Sequence, residues 1–390
     1  MGLLDLFRSG RRQQDVLEGA RGSSESTFGS VAPPATQDTL AAIVELSQLV
    51  KNNPDLVEIY LALGNLYRAQ GEIERAVQIR NSLIVRPGLD ACFKAKAWFE
   101  LGRDYKRGGF MDRAEHAFNE ARQTGGDEKL IIPELATLAA KTGDFERAAA
   151  LYGQLKLLPQ QAHYLTRLAH RRFQAGDVKG AASWLNKASK TYPHSLEVGL
   201  AKISQGVHME QWKKLPALLR EAFSLVPDDM RFLLLDGLLS SSRSLQEVAS
   251  PLPPLTSDKE DPRAAGARNN LCDALLPLLD EGAPDLLLLY YAANLLLECH
   301  ETERALTYLE RALVLENGFW AARLELLHQG LIEQSLTLVF KGQLEFFIEQ
   351  ARQLKKYLCR SCGLKQEHSF LICPRCKSWH SIAFRVVLRD

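Results

Sequence analysis

Four short segments repeat one arrangement of small residues: Gly71-Glu-Ile-Glu-Arg-Ala76, Gly109-Phe-Met-Asp-Arg-Ala114, Gly143-Asp-Phe-Glu-Arg-Ala148 and Gly176-Asp-Val-Lys-Gly-Ala181. Each places Gly five residues before Ala, and the alanines recur at intervals of 38, 34 and 33. Twelve residues before each Ala stands another small residue, Gly64, Gly102, Ala136 or Ala169, always preceded by Leu. A period of this length makes each unit one supersecondary motif that buries its apolar face only by stacking on its neighbours. The expected unit is a hairpin of two helices. The paired small residues let the helices approach closely, and the Gly ends the first helix in a tight turn.

This is the tetratricopeptide pattern. Trp98-x2-Leu101-Gly102-x2-Tyr105 followed by Ala114-x3-Phe118 matches its consensus nearly completely. Pro193 and Pro227 end the fourth repeat and a fifth, the fifth degenerate, with Leu215 where Ala is usual. Residues 289–312 read as another repeat, and 321–354 as a helical pair that caps the stack. The expected fold is all-α, a tetratricopeptide solenoid with a small four-cysteine, rubredoxin-like or zinc-ribbon domain at its C-terminus. Its expected divisions are an amphipathic N-terminus and disordered tether (1–38), a first repeat block (39–240), a Ser/Pro-rich loop (241–266), a second block (267–355) and the metal domain (356–390).

That last domain is marked by Cys359-x2-Cys362-x10-Cys373-x2-Cys376. Two Cys-x2-Cys knuckles aim paired thiolates at one point, and four thiolates suit one zinc or iron ion in a closed tetrahedral site. With every position filled by sulfur, no place is left for substrate or activated water, so the metal is expected to fold the tail rather than catalyse. His368 and His380 stand close by, but four cysteines suffice. Phe370, Trp379 and Phe384 are expected to form the small core around the site. Cys92, Cys272 and Cys299 are scattered through helix-like sequence and read as small core residues of a reducing compartment.

Charge divides the chain in the same place. Residues 351–390 carry nine Lys and Arg against Glu367 and Asp390, a net +7, which leaves −6 on residues 1–350 of the total of +1. A global nucleic-acid coat is thereby excluded, although a zinc ribbon on nucleic acid remains an alternative for the basic tail, as does a rubredoxin-like electron-transfer iron. With 46% hydrophobic residues the chain is not disordered throughout. The longest nearly apolar run, Leu286 to Leu297, is too short to span a bilayer. Residues 1–12 offer Leu3, Leu4, Leu6 and Phe7 beside Arg8, Arg11 and Arg12, which predicts a cytoplasmic chain with at most weak peripheral membrane contact there.

No phosphate loop, nucleophile elbow or dinucleotide fingerprint appears, so the chain reads as a non-enzyme. The candidate partner surface is the inner face of the array, where Asn65, Arg68, Arg103, Lys106 and Lys141 form a polar, largely basic row. The link from the last helix into Tyr357 lacks the Gly, Ser or Pro of a free linker. The metal domain is therefore expected to dock against the end of the array, yet to unfold on metal loss without disturbing it.

Repeats joined to such a tail resemble the lipopolysaccharide assembly protein B family over roughly residues 40–388. The most specific pieces are Leu63-Gly64-Asn65-Leu66-Tyr67-Arg68, Leu101-Gly102-Arg103-Asp104-Tyr105, Asp112-Arg113-Ala114-Glu115, Tyr357-x-Cys359-x2-Cys362-Gly363 and Cys373-Pro374-x-Cys376-x2-Trp379. The resemblance implies a non-enzymatic adaptor at the cytoplasmic face of the inner membrane. It would link the membrane AAA+ protease FtsH to the deacetylase LpxC and so limit lipopolysaccharide synthesis. The family's metal cysteines map onto Cys359, Cys362, Cys373 and Cys376. Family members begin with a membrane-spanning helix, whereas this sequence begins with Met1-Gly-Leu-Leu-Asp-Leu-Phe-Arg8 and a Gly/Ser/Pro tether.

Overall fold

The computed structural model describes residues 37–52, 56–239, 242–250, 262–283 and 285–388. The expectations for residues 1–36 lie outside that set. The rest is a succession of antiparallel helical hairpins that falls into two compact units, 1–126 and 127–390.

The first unit contains α1 (Gln37–Asn52), α2 (Val57–Gln70), α3 (Ile73–Ile84), α4 (Ala91–Arg107) and α5 (Met111–Gln123). The repeat residues act as their spacing requires. Gly71 and Gly109 turn the chain at φ 85° and 83°, a left-handed backbone that favours glycine. Gly102 faces Phe118 so closely that an added Cβ would come within 2.6 Å of the ring. Ala76 and Ala114 are completely buried.

A polar cluster joins these helices where a hydrophobic one would be usual. Arg80 on α3 is fully buried and donates to Asp104 on α4 at 3.3 Å, to the Leu61 carbonyl at 2.8 Å and to Asn65 Oδ1 at 2.7 Å. Arg68 on α2 donates to the same Asp104 at 2.8 Å and pairs with Glu100 at 2.6 Å. Gly64 makes room for this cluster, since a Cβ there would meet the Arg80 guanidinium at 2.6 Å. Burial lowers the Arg80 pKa and raises that of Asp104, so desolvation outweighs their mutual attraction.

The second unit continues with α6 (Glu128–Thr142), α7 (Phe145–Gln154), α8 (Leu158–Gln174), α9 (Val178–Thr191), α10 (Leu196–His208), α11 (Leu215–Leu225), α12 (Phe232–Leu239) and the short α13 (Arg243–Gln246). It goes on through α14 (Pro262–Glu281), α15 (Leu286–Glu298), α16 (Thr302–Leu315), α17 (Trp320–Glu333) and α18 (Leu338–Arg352). Gly143 and Gly176 again take positive φ, and Ala148 and Ala181 are fully buried. Asp127, Asp144, Asp177, Ser195 and Asp285 cap helix starts by accepting from backbone amides.

Two expectations change here. The 241–266 segment does not separate two blocks, because the compact units part between Gly126 and Asp127 and Pro262–Gly266 already belongs to α14. α11 packs on α14 and α12 on α15, so one core extends across the break in the repeat pattern. The remainder of that loop, 251–261, lies outside the described residues. Cys92 is no core residue either. It is exposed in the first turn of α4, where its amide is capped by Asp90.

Candidate metal centre

After α18 the chain forms a three-stranded antiparallel sheet in the order β2, β1, β3, with β1 Tyr357–Cys359, β2 Lys365–Gln366 and β3 Ile382–Phe384. Tyr357 pairs with Gln366 on one side and Phe384 on the other, and Cys359 with Ile382. This small sheet carries two tight turns. In the first, the Gly363 amide reaches back to the Cys359 carbonyl at 2.8 Å, with Gly363 at φ 68°. In the second, the Lys377 amide reaches the Cys373 carbonyl at 3.0 Å, and Lys377 takes the same backbone shape at φ 60°.

The turns bring Cys359, Cys362, Cys373 and Cys376 together, with all four sulfurs within 4.8 Å of one another. Cys359 Sγ is 3.6 Å from Cys376 Sγ, and Cys362 Sγ is 3.7 Å from Cys373 Sγ. A tetrahedral metal at about 2.3 Å from each thiolate requires sulfurs about 3.8 Å apart, so these residues can close on one ion with small side-chain shifts. Burial opposes ionisation of Cys359. Hydrogen bonds from the Ser381 hydroxyl and the Cys362 and Ser361 amides outweigh it and bring the thiol to about 6. Ser378 lowers the Cys376 thiol in the same way. Cys359 and Cys373 are buried, and the site closes on sulfur alone.

The module is held on the array by polar contacts that sequence spacing does not reveal. Tyr357 and Tyr291 both donate to Asp236 Oδ1, at 2.8 and 3.0 Å, and their hydroxyls lie 2.7 Å apart. Ser369 donates to the other oxygen of Asp236 at 2.5 Å. Burial and the Asp236 charge push both phenols well above their usual pKa, which keeps them protonated donors. Leu371 donates its amide to Ser244, and Trp320 its indole N–H to the Arg385 carbonyl at 2.6 Å. Arg360 pairs with Asp229, so part of the tail's positive charge is neutralised on the array.

A second anchor lies farther up the unit. Glu197, fully buried on α10, lies 3.2 Å from His163 Nδ1 and 2.8 Å from His380 Nε2, and accepts from Ser195 Oγ at 2.9 Å. Burial would raise the Glu197 pKa, but the His380 charge and the bond from His163 hold it well below the usual carboxylate value. Next to this anchor, Trp379 packs edge-on against His163, Tyr152 and Tyr164. The nearby histidine His380 is therefore an anchor on the array. Phe370 and Phe384 are buried in the shared core and Trp379 lies against the array, so these aromatic rings form no exposed base-stacking platform.

The docking extends beyond the end of the array. The module touches residues from Tyr152 on α7 to Trp320 on α17, and Tyr357, Phe370, Leu371, Ile382 and Phe384 belong to one core with Leu196, Phe232, Tyr291 and Phe319. The array and the tail thus share one core.

The candidate partner row is distributed unevenly. Asn65 and Arg68 on α2 join the ion cluster that binds α2, α3 and α4. Arg103 on α4 is exposed and 3.3 Å from Glu100, while Lys106 is half-buried. Lys141 is exposed near the end of α6, in the second unit. Sequence reasoning missed Glu100 and Asp104, whose negative charge meets the row from within.

No family model matches the chain. Lipopolysaccharide assembly protein B of Escherichia coli K12 is 23% identical over 351 residues, covering 86% of this chain and 82% of that protein. Its Haemophilus influenzae counterpart is 24% identical over 347 residues, covering 83% and 78%. Among solved structures, a tetratricopeptide repeat protein from Parabacteroides merdae covers 79% of this chain and 99% of its own at 14% identity, with a TM-score of 0.31. YrrB, a tetratricopeptide protein with an unusual peptide-binding site, covers 71% and 95% at 13% identity and a TM-score of 0.24. At such scores the fold assignment rests on the helical hairpins themselves. Among the described residues no helix is long and apolar enough to cross a membrane. The resemblance to lipopolysaccharide assembly protein B carried by the repeats and the tail thus extends over 83–86% of the chain.

Proposed function

We propose that this chain is a non-enzymatic adaptor that regulates lipopolysaccharide synthesis at the cytoplasmic face of the inner membrane, holding an LpxC-like deacetylase for an FtsH-like protease. The observation that carries this reading is a closed four-thiolate site on a module packed along a repeat array. Such a site supplies folding free energy and no open coordination position, so one zinc or iron ion there has a structural task. The similarity to lipopolysaccharide assembly protein B supports the process. An acidic partner segment would meet Asn65, Arg68, Arg103 and Lys106 in the first unit, and Lys141 is a separate candidate contact in the second. Charge reversal there belongs at Arg103 and Lys106, because Arg68 also holds the fold.

The test follows the deacetylase in the cells that make this chain. Deleting the chain should lengthen the deacetylase's half-life, and restoring it should shorten it again. Restoring the Cys373→Ser/Cys376→Ser form should not. A half-life unchanged by deletion would overturn the reading.

A further inference from the structure

Outside the tail, the described residues bring one other pair of cysteines together. Cys272 lies on α14 and Cys299 immediately after α15, 27 positions apart, with their sulfurs 3.6 Å from each other. Their settings are unequal. Cys272 is 1% exposed, sealed between helices, whereas Cys299 is half-buried at a helix end. There the chain leaves the helix at once, with His300 in the left-handed region at φ 62°. One turn before Cys272 on the same helix, buried Arg268 places its guanidinium against Glu298 at 2.8 Å, beside Cys299.

We propose that Cys272 and Cys299 are a redox modification site, oxidised reversibly by hydrogen peroxide to a disulfide that clamps α14 to the end of α15. The sulfurs must close from 3.6 Å to the bond length of about 2.05 Å. The accessible Cys299 is the attacking thiolate. The bond from Cys272 lowers its pKa and, with the Arg268 charge, outweighs burial and the Glu301 and Glu298 charges, which raise it. Its sulfur attacks the peroxide, the O–O bond breaks, and one water leaves with a sulfenic acid on Cys299. Cys272 then attacks that sulfur, the S–O bond breaks, and the second water leaves as the disulfide forms. Two thiols have lost two electrons and two protons, and the peroxide has become two waters. Because α15 also carries Tyr291, the bond would fix the hairpin on which the metal module docks. This inference rests on the thiol geometry and is independent of the adaptor reading.

The experiment uses the full-length, metal-loaded protein and hydrogen peroxide from one to ten equivalents. Remaining thiols are trapped with N-ethylmaleimide, peptides are read by mass spectrometry, and released metal is followed with a chromophoric chelator. The expected result is a Cys272–Cys299 cross-linked peptide that appears before metal is released, disappears with dithiothreitol and is accompanied by a rise of a few degrees in melting temperature. In Cys272→Ala, Cys299 should instead be trapped by dimedone as the sulfenic acid. The proposal is overturned if both cysteines are still fully alkylated at the dose that releases the metal, or if Cys299 is oxidised without a cross-link.

Discussion

At the residue scale the molecule relies on buried charges, each held by more than one partner. Asp104 receives Arg80 and Arg68 together, so Asp104→Ala would strip the fully buried Arg80 of its carboxylate while Arg68 kept Glu100. Removing one partner of a buried pair costs about 3–5 kcal/mol, and chemical denaturation should show a loss of that size. Glu197 is the corresponding residue beneath the metal module. Its lowered pKa contributes stability that is present above the ordinary carboxylate value of about 4.3 and lost as pH falls through the folded value. His380 behaves oppositely. Burial alone would lower its pKa, but the Glu197 charge and hydrogen bond raise it. Its contribution is complete below about 6.5 and fades as pH climbs through the raised folded value. Melting temperature should therefore decline on that alkaline side, and His380→Gln should flatten this limb. An unchanged profile in the variant would show that the pair is not coupled to folding. None of this was legible in the sequence, because His380 and Glu197 are 183 positions apart and spacing carries information only within an element or a turn.

At the element scale the sequence was far more informative. The four repeat glycines turn with positive φ, and the repeat alanines are buried, as a helical-hairpin period requires. These features are local, and their spacing alone expresses them. The four cysteines came together for the same reason, since each knuckle is one turn long. Ser and Pro mark where the backbone leaves a regular element, whereas a core is defined by what packs across the gap, so the core runs on past 241–266 where the repeat pattern breaks. Close approach within a hairpin gives a direct test. In Gly102→Ala the new Cβ would stand 2.6 Å from Phe118, so the ring or a helix must move, at a cost of about 1–3 kcal/mol. Gly330→Ala, where nothing lies within 4 Å of the added carbon, is the control expected to be neutral or slightly stabilising. Equal denaturation midpoints for the two variants would show that close approach at Gly102 does not limit the hairpin.

At the scale of the whole molecule, the metal module is part of the second unit's core. Phe384 packs against Phe232, Tyr290, Tyr291, Phe319 and Tyr357, so helices α12 and α15 and the residue at the start of α17 bury aromatic surface on a sheet that a metal ion would hold in shape. A tail of this size cannot bury enough apolar surface to remain folded without metal or partner. Chelation, or Cys376→Ser, should consequently remove one equivalent of metal and also raise amide exchange in α12, α15 and α17, where the packing partners of the lost sheet lie. The effect should extend to α10, because Glu197 would then be left buried with His163 and Ser195 but without His380. That change is costly enough for local opening to relieve it. Limited proteolysis across 350–360 should be slow in the metal-loaded protein and rapid after chelation. If exchange rose only within 356–388 while these helices kept their protection, the module would be an independent bead, and the shared core would contribute nothing to the array.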